Sequence, residues 1–549
     1  SIGLGGNIGL WLYLIPGLSF DRFGTQFGFI VGFSLVLIGF IATCVALSLK
    51  AGFEIVAVTW AVAGHGCSWL FCTNLLSNVR SWKPEARGYA IGSLQAFFGM
   101  SAPLFISIWT NNIFNAEDYL VEFLAFMGIW NLCAVGIAVA TGGGLDNFLD
   151  AGTFDKRAAQ RFFRLQIYIA FLLLLIVCTG LAEQKEWASY VIIAAIIGGV
   201  PFVVFEDKFL FIWQDEKKND MLENKLDEPL LIESTPTSTP RTSEVVAADA
   251  EPLPMPAVVV VATQPSQPQA PPPPPEPLAA LHPQHWIEFW ELFLVFGILT
   301  GGALSTSNSM VAIARSIGTC EYKRLAAFSL TLQTTCDALG RMLGGIAINT
   351  KLCDGAVVMA VGALCLAASH TAYSAAHGLM LHEGPYSTGN AFLFMAAGAL
   401  GGLADGTAWT SCPWLTQARF GQKRYGDNFG IVTVAAVVGI IVFVKGVIPI
   451  GDTPEDDDYL AYNTTVLEYN YTSHTWYNET VFHPSSYNCM SIDDDDDTSC
   501  YGGKCFAVFH RSCQAAAVVG FICALDMERR RMMRVREQQQ KAVEREESL

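Results

Sequence analysis

Long apolar stretches recur along most of the chain, broken by short polar or basic loops. About 20 apolar residues suffice for a helix to cross a ~30 Å hydrocarbon core, so length rather than amphipathic period is the informative signal. Thirteen segments meet it, at roughly 2–18, 27–49, 52–78, 88–109, 119–140, 162–182, 187–205, 287–314, 324–348, 355–376, 390–415, 428–448 and 506–526. Two long segments interrupt the series: 207–285, rich in Pro, Ser, Thr and acid, and 449–505, acidic and polar. The pattern predicts an all-α polytopic membrane protein with two helical bundles joined by a long linker. The chain opens at Ser1 already inside an apolar helix, and a first helix and any targeting segment are expected to be missing.

Composition agrees: 52% of the residues are hydrophobic and 15% charged, and the mean hydropathy is +0.37. Soluble enzyme classes drop out. The net charge of −17 lies in the two polar segments, since 206–285 holds 13 acidic and 5 basic side chains and 449–505 holds 12 and 1. With no basic stripe and no aromatic RNA-binding signature, nucleic acid is not an expected partner. Of 15 cysteines, ten sit inside apolar runs, where the default is a small buried hydrophobe. No spacing of Cys or His suits a metal, so no metal and no cofactor is expected.

Basic loop residues set the expected orientation. Alternation through the thirteen segments puts Arg22, Arg80, Lys83, Arg87, Lys156, Arg157, Arg161, Arg164, Arg419, Lys423, Arg424 and the 527–549 tail on one side, the cytoplasm. The 449–505 loop then lies outside, and it carries three Asn-x-Ser/Thr sequons, at Asn463, Asn470 and Asn478. Cys489, Cys500, Cys505 and, just beyond, Cys513 share that oxidising side, as disulfide candidates or free thiols. Residues 207–285 are expected to be a disordered cytoplasmic linker, a plain spacer or a ligand for a Pro-binding partner. Within it Asp227-Glu-Pro-Leu-Leu231-Ile232 fits an acidic dileucine sorting signal, read by sorting adaptors, for an endosomal, lysosomal or vacuolar membrane. The plasma membrane is the other expected location.

Two further motifs narrow the class. Gly17-Leu-Ser-Phe-Asp21-Arg22-Phe-Gly24 resembles the loop signature of the major facilitator superfamily between its second and third helices, and Asp337-Ala-Leu-Gly340-Arg341-Met-Leu-Gly344-Gly345 resembles the degenerate second copy in the matching place of the other half. Within that superfamily the chain is similar to the nodulin-like family, related to monocarboxylate-type transporters. The similarity rests on the opening LGGNIGLWLYLIPGLSFDRFG and on Val79 to Gly88, set against a V-x-N-F-P-x-x-R-G loop with one residue inserted. Gly402 to Trp409 with Pro413, Phe420, Gly421 and Gly426 also contributes. The resemblance implies a two-bundle transporter fold with 13 helices present of 14. It divides the chain into a first bundle (1–141), two additional helices (142–206), the linker, a second bundle (286–448), the glycosylated loop (449–505), a last helix (506–526) and a basic tail. It implies secondary active transport of a small polar or anionic solute by alternating access, with protons as a candidate coupling ion. A solute sensor on the same fold is the alternative; an enzyme is not expected.

Candidate site residues follow from position. Asp21, Arg22, Asp337 and Arg341 are expected gate elements, with Asp337 and Arg341 four residues apart on one helix face and a plain structural pairing as the alternative. His65 and Asp405 sit near the middle of apolar segments, where an ionisable group is costly unless it meets water or a partner, and are expected to line the pathway with Asn74, Gln95 and Asn308. The family usually has Asn at the first of these and an aromatic or polar residue at the second, so the pair departs from its pattern; a histidine satisfied within its own bundle is the competing reading. The loop assignment is the most directly checked. N-glycosidase should increase the gel mobility of protein made in a eukaryotic host, and protease added at the cytoplasmic face of sealed vesicles should leave 449–505 intact; cleavage there would reverse the orientation.

Overall fold

The structure, a computed structural model, describes residues 2–82, 84–110, 120–142, 156–181, 190–196, 198–199, 285–316, 322–383, 388–422, 424–447, 461–470, 475–484 and 506–547. Residues 1–203 and 278–549 form one compact unit, and 204–277, all outside the described residues, a second. The sorting motif at Asp227, Leu231 and Ile232 and the cysteines Cys489, Cys500 and Cys505 therefore lie outside the described residues.

All thirteen apolar segments contain helix. The chain runs through α1 (Ile2–Trp11), α2 (Leu14–Ser48), α3 (Phe53–Ser81), α4 (Pro84–Thr110), α5 (Leu120–Gly142) and α6 (Lys156–Leu181), then a helical stretch at 190–196. It continues through α7 (Trp286–Asn308), α8 (Met310–Ser316), α9 (Tyr322–Asn349), α10 (Gly355–Glu383), α11 (Thr388–Phe420), α12 (Tyr425–Ile441) and α13 (Ala507–Glu547). Among the described residues, eight helical spans are long and apolar enough to cross a membrane. This is an α-helical, multi-pass membrane protein.

Local chemistry explains where the helices break. Pro16 has no N–H for the Leu12 carbonyl, and the helix restarts at Leu14 after a tight turn in which the Tyr13 N–H bonds the Trp11 carbonyl at 3.0 Å. Gly24, at φ 76°, bends α2 into two helices, a backbone state that a side chain would strain. The predicted 287–314 segment parts at Ser309, after Thr306 and Ser307 have turned their hydroxyls onto the carbonyls of Gly302 and Ala303.

Helix α9 occupies the centre. It packs on α11 of its own half and on α4 of the first half, while α2 with α3, α10 with α11 and α13, and α7 with α12 complete the bundles. Helix α6 also packs against both α4 and α9. The α4–α9 crossing is set by glycine: a Cβ at Gly345 would stand 2.6 Å from the Gly92 Cα.

Two segments depart from expectation. The 449–505 loop holds an antiparallel hairpin, β1 (Ala461–Asn470) with β2 (Thr475–Pro484), registered from Ala461 opposite Pro484 to Asn470 opposite Thr475. Its Thr, Val, Tyr, Trp and Phe content around a short polar connection favours strands. Sequons Asn463 and Asn470 fall in β1, and Asn478 in β2.

The basic tail, expected only to orient the chain, continues α13 without a break to Glu547. Its Met, Arg, Glu and Gln are good helix formers, and Asp526 pairs with Arg530, Glu528 with Arg531. The same arginines reach back to the bundle: Arg534 to Glu288 at 2.6 Å, Arg530 to Glu291 at 3.1 Å and Arg531 to Asp354 at 3.3 Å, where Arg419 also binds. Burial pushes the Asp354 carboxyl up to about 6, with Arg419 and Arg531 opposing the shift. Replacing Arg531 and Arg534 together with Ala should therefore free the tail, seen as at least a tenfold faster amide exchange over 528–540; unchanged exchange would show that the ion pairs do not hold it.

Candidate functional site

The site grows from Arg341, a guanidinium 2% exposed at its side chain in the apolar interior. Its Nε donates to Asp337 Oδ1 at 2.8 Å, one helical turn back on α9. Its Nη1 donates to Gln95 Oε1 on α4 at 2.9 Å, so the charge of one half is held by a side chain of the other. Phe98 and Trp409 flank it, each with its ring centroid 5.6 Å from Cζ. The Thr410 hydroxyl fixes the backbone by donating to the Arg341 carbonyl at 2.8 Å. Gly99 is part of the cradle, because a Cβ there would lie 2.7 Å from Asp337 Oδ2.

Asp405, buried on α11, lies within electrostatic reach of both Asp337 and Arg341. Its Oδ1 has no hydrogen-bond partner among the described residues, and neither do Gln95 Nε2, the Tyr13 hydroxyl and the Trp11 indole N–H, while the Trp409 indole N–H faces the Asp405 carboxylate. Around them runs an aromatic wall: Trp11 stacks on Trp409 at 4.3 Å, Tyr13 on Phe429 at 6.0 Å, and Phe296 meets Trp409 edge-on at 4.8 Å. One fixed cation, two carboxylates and several unfilled donors thus face each other inside a dry aromatic shell built from both halves. Such a centre suits a small solute bearing an anionic or acceptor group.

The other candidates separate. Asp21 accepts the Asp427 N–H at 2.9 Å in the first turn of α12 and pairs with Arg80 of α3. It places a carboxylate at a helix N-terminus across the boundary between halves, an interaction typically worth ~0.3–1 kcal/mol. Arg22 is exposed and makes no ion pair among the described residues, while Asp21 takes Arg80 of the neighbouring helix as its partner. Arg22 follows Asp21 by one position, about 100° around the helix.

His65 is half-buried within its own half, with Nδ1 3.4 Å from the Gly9 carbonyl and Nε2 accepting the Trp69 indole N–H at 3.1 Å. No hydrogen bond joins it to Asp405 among the described residues. Asn74 is exposed and bonded to Asn78. Asn308 accepts from Asn7 Nδ2 at 3.1 Å, a contact between α7 and α1. Cys513 is a buried free thiol in α13 rather than part of the loop. No group of three metal-ligating side chains is found among the described residues.

Sequence reasoning missed Arg80, Asn7 and the aromatic wall. Arg80 was visible only as a topological charge, and apolar runs offer no way to tell a wall tryptophan from a lipid-facing one.

No family model matches the sequence, and no curated protein matches it. Solved structures do. One is a crystal structure of a major facilitator superfamily transporter, FucP, in the outward conformation, at 13% identity and TM-score 0.39, covering 96% of this chain and 89% of that one. Another is the proton:xylose symporter XylE bound to 6-bromo-6-deoxy-D-glucose, at 11% and 0.41, covering 96% and 84%. A variant of the E. coli fucose:proton symporter FucP matches at 11% and 0.38, covering 96% and 90%.

The geometry distinguishes Asp21 from its neighbour. In single-cysteine variants at position 17 or 426, labelling by a water-soluble thiol reagent should rise severalfold on Asp21→Ala and stay unchanged on Arg22→Ala. Equal effects of the two would remove the cap from the contact between halves.

Proposed function

We propose that the protein is a secondary active transporter of major facilitator type, carrying a small polar or anionic solute by alternating access. The reading rests above all on Arg341, whose charge on the second half is satisfied by Gln95 of the first. A solute acceptor group that replaces Gln95 on the guanidinium releases a bond between halves, so binding and rearrangement share one side chain. The Asp21 contact with α12 and the Asn7–Asn308 bond give two further joints across the same boundary, each able to open while the centre is occupied.

Charge balance supports protons as the coupling ion. Arg341 offsets one carboxylate of Asp337 and Asp405, so an anionic solute and two ionised aspartates would leave excess negative charge in a dry site; one proton on Asp405 removes a unit of it. The solute and the proton then enter as a pair.

Uptake into proteoliposomes against a panel of small acids, amino acids and sugars tests this. The parent protein should accumulate at least one solute above equilibrium under an inward proton gradient. Arg341→Gln should lower uptake at least a hundredfold, and Asp405→Asn should keep solute exchange while losing gradient-driven accumulation. Saturable binding without flux in the parent protein would sink the transport reading.

A further inference from the structure

A second polar cluster lies in the C-terminal half, remote in sequence from Arg341 and at the opposite end of the helices from the tail arginines. There α8 ends, α10 approaches its end and α13 begins. His377 is 3% exposed and Ser316 0%, within an apolar group that includes Phe394, Phe506, Phe509 and Tyr373. Both side chains are buried, so their hydrogen bonds can be counted.

Three contacts connect four groups in a line. His377 Nδ1 lies 3.0 Å from the Tyr373 carbonyl, His377 Nε2 lies 2.8 Å from Ser316 Oγ, and Ser316 Oγ lies 2.7 Å from the Ile313 carbonyl. A carbonyl only accepts, so Nδ1 must carry a hydrogen. In a neutral ring Nε2 is then bare, and the single Ser316 hydrogen can serve either Nε2 or the Ile313 carbonyl, not both. That carbonyl lies one turn before Ser316 on α8. Three bonds need three hydrogens, and the neutral groups supply two.

We infer that His377 and Ser316 form a proton-binding site, distinct from the central carboxylates, in which the incoming proton is the missing hydrogen. On uptake Nε2–H donates to Ser316 Oγ, the hydroxyl turns to the Ile313 carbonyl, and the imidazolium donates from both nitrogens. Release reverses the rotation, so the balance needs no other reactant. The charged ring sits among aromatic groups and has an acceptor on each side, so both of its N–H groups are hydrogen-bonded.

The groups facing His377 fit this assignment. On its own helix are His370 and Tyr373; from α13 His510 stands with its ring 5.7 Å away, and Cys513 lies in the same cluster. On α8 Arg315 precedes Ser316, its guanidinium 5.9 Å from the Tyr322 ring of α9. His370 and His510 bond through their Nδ1 atoms at 3.0 Å, which needs one hydrogen that a neutral pair already has. The line through His377 is one short and that pair is not. With both His377 nitrogens engaged, the three rings do not converge their lone pairs on a metal.

The test needs no solute and does not depend on the transport reading. Full-length protein labelled with 15N-histidine in lipid vesicles is titrated from pH 4 to 8 by solid-state NMR, which separates imidazolium from neutral rings. One titrating ring should be absent from His377→Gln. Its midpoint should fall by about one pH unit or more in Ser316→Ala, which loses the acceptor for Nε2–H, and stay in place in Ser316→Thr, which keeps it. If His377→Gln does not fold, the contrast between the two Ser316 variants decides. A midpoint indifferent to Ser316→Ala, or a full set of titrating rings in His377→Gln, overturns the site.

Discussion

Arg341 carries a permanent charge into the middle of an apolar bundle, and the helices around it are arranged as that charge requires. A buried guanidinium must be paired and its remaining N–H groups satisfied, or it destabilises the fold by several kcal/mol. Asp337 supplies the pair from the same helix and Gln95 a second bond from the other half. For Gln95 to reach, α4 and α9 must approach closely, which Gly92 and Gly345 allow where they cross. The aromatic shell of Trp11, Phe98 and Trp409 then keeps water out of the same volume.

Two stretches of similar sequence serve different ends. Asp21 with Arg22 and Asp337 with Arg341 read as two copies of one motif. Asp21 turns outward from its helix to cap α12 and to meet Arg80, while Asp337 turns inward to meet Arg341 on its own face. The spacing decides it: adjacent residues diverge around a helix, whereas residues four apart stand over one another. One pair makes a contact at a helix end and the other lies buried in the bundle.

Charge elsewhere follows the same economy. The arginines of α13 end on Glu288, Glu291 and Asp354, so the tail fastens helix ends. At the opposite end lie Ser316, His377 and the His370–His510 pair, with Arg315 beside them.

Hydrophobic length alone determined the class, the thirteen helical segments and the positions of the polar residues within them, because a bilayer demands long apolar helices whatever their neighbours do. Mid-segment position singled out His65 and Asp405, since an ionisable group is costly there, whereas Arg341 was read from its motif as a gate element near a helix end. Which of them meet was decided only by tertiary structure. Gln95 and Arg341 are 246 positions apart and share a bond, whereas His65, equally central in its segment, closes its hydrogen bonds on Gly9 and Trp69. Helix rotation and the glycine crossings set those pairings, and a run of apolar letters holds little record of either. The hydrogen missing at His377 is of the same kind: it exists only where three helix segments bring a carbonyl, a ring and a hydroxyl into line.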